Sequence, residues 1–366
     1  MKKAIVVLIV SLLINISPVI IGAESGIQPD DLPSSFSWCD INGTDFTTPV
    51  KNQAPAPTCE AYALVAALET MMQYQVGEPY SPDLSEAHLY FYPGGTYEAG
   101  YVNLVDAANY LMVHGVPDEG CFPDPHRPFD FSFESLPEWK NRTVKIGGWH
   151  WVEHTQEAMK KALIEHGPLI VCTYFWKDFY YYHGGVYRHK WGMIAGGHVM
   201  AIVGYDDNEH CWTIKNSWGT GWGEDGWLRI DYDYLSLADW YGDGTGVMYL
   251  DSVYGNLMPD IPEIQIEQPR IYHTYIFGHG FPTIFRSVPF IQEASPRIMG
   301  QYTVKVNAEN TDKVEFYLDG ELEYVDGEQP YEWSPATSYG IHTIETLAYN
   351  EEGNMSKDII DVFVII

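Results

Sequence analysis

Thr48-Pro49-Val50-Lys51-Asn52-Gln53-Ala54-Pro55-Ala56-Pro57-Thr58-Cys59-Glu60-Ala61-Tyr62-Ala63 is the stretch from which the rest of the chain can be read. Its prolines hold the first part extended, and a helical pattern begins at about Cys59. Ala61, Leu64, Val65, Leu68 and Met72 recur at steps of three and four, which predicts a helix with one apolar face, ending near Gly77. A cysteine in the first turn of such a helix sits among unpaired N–H groups and at the positive end of the helix dipole. Both favour the thiolate, the nucleophilic form of the side chain. Taken alone, Cys59 reads as a buried core cysteine; stretches further along the chain change that reading.

The 366 residues leave room for two or three domains, each with its own core. Aromatic side chains make up 15% of them, which argues for packed modules and against disorder. Fifty acidic residues against 20 basic ones give a formal charge of -30, so nucleic acid is excluded as a partner: its phosphates would be repelled over most of the surface. Lys2-Lys3, an apolar run from Ala4 to Ile21 and Gly22-Ala23 describe a secretory signal peptide over residues 1–23. A retained N-terminal anchor is the rival, because the run is nearly long enough to span a bilayer. Cleavage after Ala23 implies a secreted or cell-surface protein with no stable membrane insertion.

Helices are predicted at Leu84–Tyr92, capped by Ser81 or Asp83, and at Val102–His114, ended by Gly115. Beyond Lys140 the period switches to alternation. One helix remains, Thr155–His166, stopped by Gly167-Pro168. Leu169–Cys172, His198–Val203, Cys211–Lys215 and Gly226–Ile230 read as strands of one antiparallel sheet or barrel. The expectation is an α+β domain over 24–257, with a helical lobe at about 32–140, a β lobe at about 141–257 and a cleft between them. Residues 258–269 are proline-rich and read as a linker. The region 270–366 reads as strands, with Asp319-Gly320 marking a hairpin, and suggests a β-sandwich.

Gly196-Gly197-His198 opens one of these strands. Lys215-Asn216-Ser217-Trp218-Gly219-Thr220-Gly221-Trp222-Gly223-Glu224-Asp225-Gly226 joins two others through a loop rich in glycine and tryptophan. A core histidine and an aromatic-packed hairpin would be ordinary readings of each alone. With Pro49–Gln53, Cys59 and Gly184-Gly185-Val186-Tyr187, however, these stretches resemble the papain family of cysteine peptidases over roughly Leu32 to Ile230. His198 follows Cys59 by 139 positions (198 − 59) and Asn216 by 157 (216 − 59), against about 130–150 for such partners in that family. The histidine lies inside that range and the asparagine slightly beyond it, so the spacing corroborates the resemblance without being independent of it.

The resemblance implies a two-lobed fold of a helical lobe and an antiparallel β-barrel lobe, and a thiol endopeptidase that acts on proteins or peptides through a thioester. In it Cys59 is the nucleophile, His198 the base and later the acid, and Asn216 orients the imidazole beneath Trp218. Gln53 donates to the oxyanion together with the Cys59 N–H. Gly94-Gly95 would line the cleft, and Gly197 and Cys172 would shape the pocket next to the scissile residue. Amide hydrolysis by such a site requires no cofactor, and no metal-ligand spacing or phosphate-binding loop is present. The C-terminal region resembles immunoglobulin-like domains of exported microbial proteins. It reads as a spacer in preference to a device for attachment to a cell surface or substrate.

Several positions depart from the family pattern. Ala56 stands where the family has a second cysteine, Glu60 where a tryptophan usually follows the nucleophile, and Pro55 and Pro57 where glycines occur. Glu60 is expected to oppose thiolate formation unless it turns away or meets a cation. Five cysteines leave one thiol over; with Cys59 free, Cys39, Cys121, Cys172 and Cys211 allow three pairings. Cys39–Cys121 with Cys172–Cys211 is the pairing that keeps each bridge within one lobe. The altered motif also admits a second function class: a papain-like scaffold of impaired catalysis that serves as an extracellular binding or adhesion protein.

Overall fold

The computed structural model describes residues 32–54, 56–96, 100–124, 135–234, 237–238, 246–257, 261–282 and 295–365. The expected signal peptide, residues 1–23, lies outside them. Strand β1 (Ser35–Ser37) comes first, and α1 (Cys59–Val76) starts at Cys59 and ends at Gly77, whose left-handed backbone lets its N–H bond the Gln73 carbonyl. Next come α2 (Glu86–Phe91) and α3 (Leu104–Val113). Ser85, rather than Ser81 or Asp83, caps α2 by accepting from the His88 N–H, because the helix starts at Glu86 and not at Leu84.

A single apolar face on α1 is not what the structure shows. Residues from Glu60 to Gln73 are buried almost without interruption, because α2 and α3 as well as strands of the following sheet all pack against α1. Ala61, Ala67 and the long side chains Leu64, Leu68 and Met71 therefore share one core with Val199 and Cys172 of the β lobe. The helix that opens at Cys59 is the central packing element of the domain.

The β lobe is built from β2 (Val144–Trp151), α4 (Gln156–His166), β3 (Leu169–Trp176), β4 (Val186–Tyr187), β5 (Ile194–Asp206), β6 (Cys211–Lys215), β7 (Trp227–Asp231) and β8 (Val247–Gly255). The strand order is β2-β8-β3-β5-β6-β7-β4, with β1 also paired to β5. Pairing is antiparallel except between β4 and β7. Among the described residues the ladder ends at β2 and β4, so the expected barrel is an open sheet; β4, with 2 residues, is too short an edge to close it. The lobe boundary also shifts. β1 pairs with β5, and Trp38 lies in the β-lobe core with its Nε1 donating to the Leu163 carbonyl at 3.1 Å, so the chain's first described residues belong to the β lobe.

The second domain comprises β9 (Glu263–Gln268), β10 (His273–Ile276), β11 (His279–Pro282), β12 (Arg297–Met299), β13 (Val304–Glu309), β14 (Lys313–Leu318), β15 (Glu321–Asp326), β16 (Tyr331–Trp333), β17 (Gly340–Tyr349) and β18 (Met355–Ile365). A seven-stranded sheet (β11-β10-β12-β18-β17-β14-β15) and a three-stranded sheet (β16-β13-β9) share one core that includes Val306, Phe316, Ile344 and Val362. Strand β9 lies inside the stretch expected to be linker: Ile264 and Ile266 alternate onto the core, and pairing with β13 outweighs the flanking prolines. Asp319 and Gly320 both take positive φ between Leu318 and Glu321, as a tight hairpin turn requires.

The two domains are joined by buried polar contacts. Arg142 holds Asp118 through two guanidinium nitrogens and also donates to the Met355 carbonyl and to Ser356 Oγ of β18. The Lys357 N–H donates to the Gly120 carbonyl at 2.8 Å. A Cβ at Gly120 would lie 2.6 Å from Ser356, so only glycine permits this approach. The same loop reaches back to α1, where the Tyr62 hydroxyl donates to Asp124 at 2.7 Å.

Candidate active site

A buried polar network fixes the extended segment that precedes Cys59. Lys51 Nζ lies 3.0 Å from Glu69, 2.6 Å from Asp83 and 2.8 Å from Glu86. Thr48 Oγ1 donates to Glu69 and accepts from Lys215 Nζ at 2.7 Å. Both Glu69 and Lys215 are buried, so removing any one member strands a charge. The segment then runs alongside the loop after β6: the Gln53 N–H donates to the Ser217 carbonyl at 2.8 Å and the Gly219 N–H to the Lys51 carbonyl at 3.1 Å. The segment that leads into Cys59 and the loop that carries Asn216 are thus paired through their backbones.

The imidazole is held by a chain of determined hydrogen bonds. Asn216 Oδ1 accepts from the Ser217 N–H at 2.8 Å; a backbone N–H can only donate, so the amide oxygen must be the atom on that side. That oxygen is also 2.7 Å from His198 Nε2, so Nε2 carries the proton and donates. In the neutral ring Nδ1 is left as the basic nitrogen. Trp218 lies over His198 with ring centroids 4.9 Å apart, Phe175 meets His198 edge-on, and Tyr180 stacks on Trp218. His198 and Asn216 are both 3% exposed. Burial pulls the imidazole down to about 4, against the opposing bond to Asn216.

The thiol side is different. Cys59 occupies the first position of α1, and its sulfur receives the Val199 N–H, one residue past His198. It also donates to Glu60 Oε2 at 3.4 Å. Burial pushes the thiol well above its usual value, and the Glu60 charge adds to this. Glu60 does not turn away, and among the described residues it has no cationic partner within 4.0 Å. Burial raises its carboxyl to about 7. The magnitudes decide the outcome: a helix N-terminus is worth up to about 2 kcal/mol to an anion. Two like charges at the distance of the Cys59–Glu60 contact repel by about 5 kcal/mol at an effective dielectric constant of about 20. Burial and the neighbouring carboxyl thus both disfavour the thiolate.

Gln53 bridges the two sides. Its Oε1 accepts from Ser217 Oγ at 2.6 Å, and its Nε2 donates to the Ala56 carbonyl at 3.1 Å, leaving one amide hydrogen. Cys172 pairs with Val199 in the β3–β5 register, and its buried thiol lies in the field of Glu60. Gly197 pairs with Tyr174 immediately before His198. Gly94 and Gly95 lie in the turn that follows α2. They close α2, where a Cβ on Gly95 would stand 2.3 Å from the Tyr90 carbonyl oxygen. Gly100 is the glycine across from the Cys59 loop: at φ +68°, the nearest atom to its virtual Cβ is Pro57 Cγ at 3.8 Å.

The two disulfides proposed for the remaining cysteines are absent, and all five thiols are free. Cys172 sits opposite Val199 of β5, whereas Cys211 pairs with Asp206, seven positions along (206 − 199), which places them roughly 20 Å apart along the sheet. Cys39 contacts Thr47 Oγ1 at 3.7 Å, while Cys121 is buried beside Arg142. Elsewhere, His210, Asp231 and Asp233 bring ligand atoms within 4.8 Å of one another. Arg188 already pairs with Asp231, and His210 with Asp233. A groove of about 880 Å³ between the domains, lined by Asp83, Glu119, Arg142 and Glu263, has neither Cys59 nor His198 in its wall.

Comparison with known proteins returns a match of residues 32–238, more than half of the chain, to the model for the papain family cysteine protease. Zingipain-2 of Zingiber officinale is 29% identical over 208 residues, covering 55% of this chain and 89% of that protein. Cathepsin B-like CP2 of Giardia intestinalis is 51% identical over 76 residues, covering 20% of this chain and 25% of its own length. The chain thus spans about a quarter of the length of the cathepsin B-like relatives it matches. Among solved structures, the bromelain protease from Ananas comosus in complex with the E64 inhibitor is 26% identical, covers 60% of this chain and 99% of that one, and has a TM-score of 0.49.

Proposed function

The chain belongs to the papain family of cysteine proteases, and on that premise we propose that it is a secreted thiol endopeptidase acting on proteins or peptides. The observation that carries this reading is the fixed tautomer: the Ser217 N–H sets the Asn216 amide and Asn216 sets His198, which leaves Nδ1 as the basic nitrogen, while the Cys59 sulfur receives the N–H of Val199, the next residue along the strand. In the proposed cycle the thiol proton passes to Nδ1 and the sulfur attacks the substrate carbonyl carbon. The C–S bond forms as charge moves to the carbonyl oxygen, which the free Gln53 amide hydrogen and the Cys59 N–H receive. Collapse breaks the C–N bond, and the imidazolium gives its proton to the leaving amine. Water, deprotonated by Nδ1, then attacks the thioester, and the thiol regains its proton.

Secretion is supported by the Lys2-Lys3 start and the apolar run that follows. For the second domain we propose an immunoglobulin-like sandwich, supported by two sheets around one core, with attachment to a cell surface or substrate as its alternative to a spacer role. The contacts of Arg142 favour a docked spacer over a free arm. One observation favours the rival reading, a scaffold of impaired catalysis that binds extracellular partners: the uncompensated Glu60 carboxylate against the sulfur. The test is labelling with an epoxide thiol inhibitor together with a peptide cleavage assay. Wild type should label and cleave, and Cys59→Ala should do neither. Cleavage that persists in Cys59→Ala sinks the peptidase reading, as does a wild type that never labels.

A further inference from the structure

Glu60 has no part in the cycle just proposed, yet it is buried, 7% exposed, and in contact with the reacting sulfur. Its surroundings are specific. On its own helix the neighbouring group is the Cys59 thiol. From β3 comes the Cys172 thiol, whose proton burial and Glu60 both retain. From β5 comes the Val199 N–H, which donates to the Cys59 sulfur, next to His198. The remaining elements packed on α1 (α2, α3 and β8) bring apolar members of the shared core such as Leu89, Leu111 and Met248. Among the described residues no Lys or Arg lies against the carboxyl. It is an acid buried with one thiol as its side-chain partner and its own N–H as its backbone donor.

Resting on the peptidase reading, we infer that Glu60 is a proton-controlled positioning residue: ionised, it holds Cys59 as a resting thiol by accepting its S–H; protonated, it becomes a donor to the sulfur and releases the site for catalysis. The step balances without a co-reactant. A solvent proton binds the carboxylate, the S–H proton moves to His198 Nδ1, and the Glu60 O–H then points at the sulfur anion. The same atom pair, 3.4 Å apart, serves both states with the direction of donation reversed. Ionised Glu60 would put a second anion against the thiolate, whereas neutral Glu60 removes the repulsion and adds a hydrogen bond. Burial raises the carboxyl to about 7, so the change spans neutral pH.

The experiment follows alkylation of Cys59 by iodoacetamide against pH, read by mass spectrometry of the Cys59 peptide, with Cys59→Ala as blank. Wild type should react about tenfold or more faster near about pH 5.5 than near about pH 8. Glu60→Gln, which cannot ionise, should vary by no more than about threefold across that interval. Glu60→Asp keeps the charge one methylene further away and should shift the limb without erasing it. A wild-type profile that rises toward pH 8, or one identical to that of Glu60→Gln, overturns the inference; the wild-type profile alone suffices if the glutamine variant does not fold. Alkylation needs no substrate, so the two readings separate. A protein that shows the acid limb but cleaves no peptide loses the peptidase reading and keeps the Glu60 coupling. A protein that cleaves peptide with no acid limb does the reverse.

Discussion

On the imidazole side, a backbone N–H, an asparagine and a set of aromatic rings leave His198 a single tautomer and almost no water. On the thiol side, the sulfur meets a backbone donor and a carboxylate that pull it in opposite directions. The hydrogen-bonded part of the first arrangement is closed over a short span: β5, β6 and the loop after β6 supply all of it, with Phe175 and Tyr180 adding rings from the β3 side. The second is assembled from distant parts, with α1 entering from one lobe, Val199 and Cys172 from the other, and the Lys51 network holding the approach. A locally closed arrangement preserves its chemistry as a unit. One assembled across lobes can change a single member, here Glu60, and acquire a different pH response without disturbing the other half.

Gln53 joins the halves, so its removal should do the most damage. Gln53→Ala should lower kcat by about 10²-fold or more with KM little changed, as for loss of one oxyanion donor; steady-state peptide hydrolysis measures it. A loss below about threefold would mean the donor lies elsewhere and the bridge is only structural.

The thiol side can be tested through stability. Glu60 has its proton affinity raised in the native state, from 4.5 to about 7, so the native state keeps a proton that the unfolded chain releases. Stability therefore falls as pH rises from the lower value to the higher, and the full penalty is present above it. The shift corresponds to about 3 kcal/mol. Glu60→Gln should lack this slope, and urea unfolding of both proteins at acid and at mildly alkaline pH would reveal it. Equal slopes would place the two halves of the site under the same electrostatic rule. The smallest effect belongs to the imidazole side. Trp218→Leu should admit water to the Asn216–His198 bond and lower kcat/KM by about tenfold. It should also move the acid limb of the pH profile upward, since burial is what holds His198 down. An unmoved limb would assign the sealing to Phe175 and Tyr180 instead.

The local closure of the imidazole side also explains what could be read in advance. The stretch from Lys215 to Gly226 names its own structure, because the asparagine, the covering tryptophan and the tight turns are neighbours in sequence. Cys59 could be placed at a helix start from periodicity alone. The expected amphipathic helix was wrong for a related reason: periodicity reports apolar spacing and cannot show that a helix is covered on more than one face, as α1 is. Strand β2 escapes an alternation rule because Gly147-Gly148 interrupts it, and β9 is masked by its prolines. Cysteine counting suggested a Cys172–Cys211 bridge that the sheet register forbids.

The docking of β18 has a consequence in time. Met355 follows Asn216 by 139 positions (355 − 216), so a ribosome completes the residues of the candidate site long before the strand that receives the bonds of Arg142. At about 5–20 residues per second the interval is on the order of ten seconds. During it the guanidinium has Asp118 but not β18, and the loop that runs from Asp118 through Gly120 to the Asp124–Tyr62 bond lacks its outer wall. The order of synthesis thus separates making the reactive groups from finishing their housing, and the delay is written into the length of the second domain.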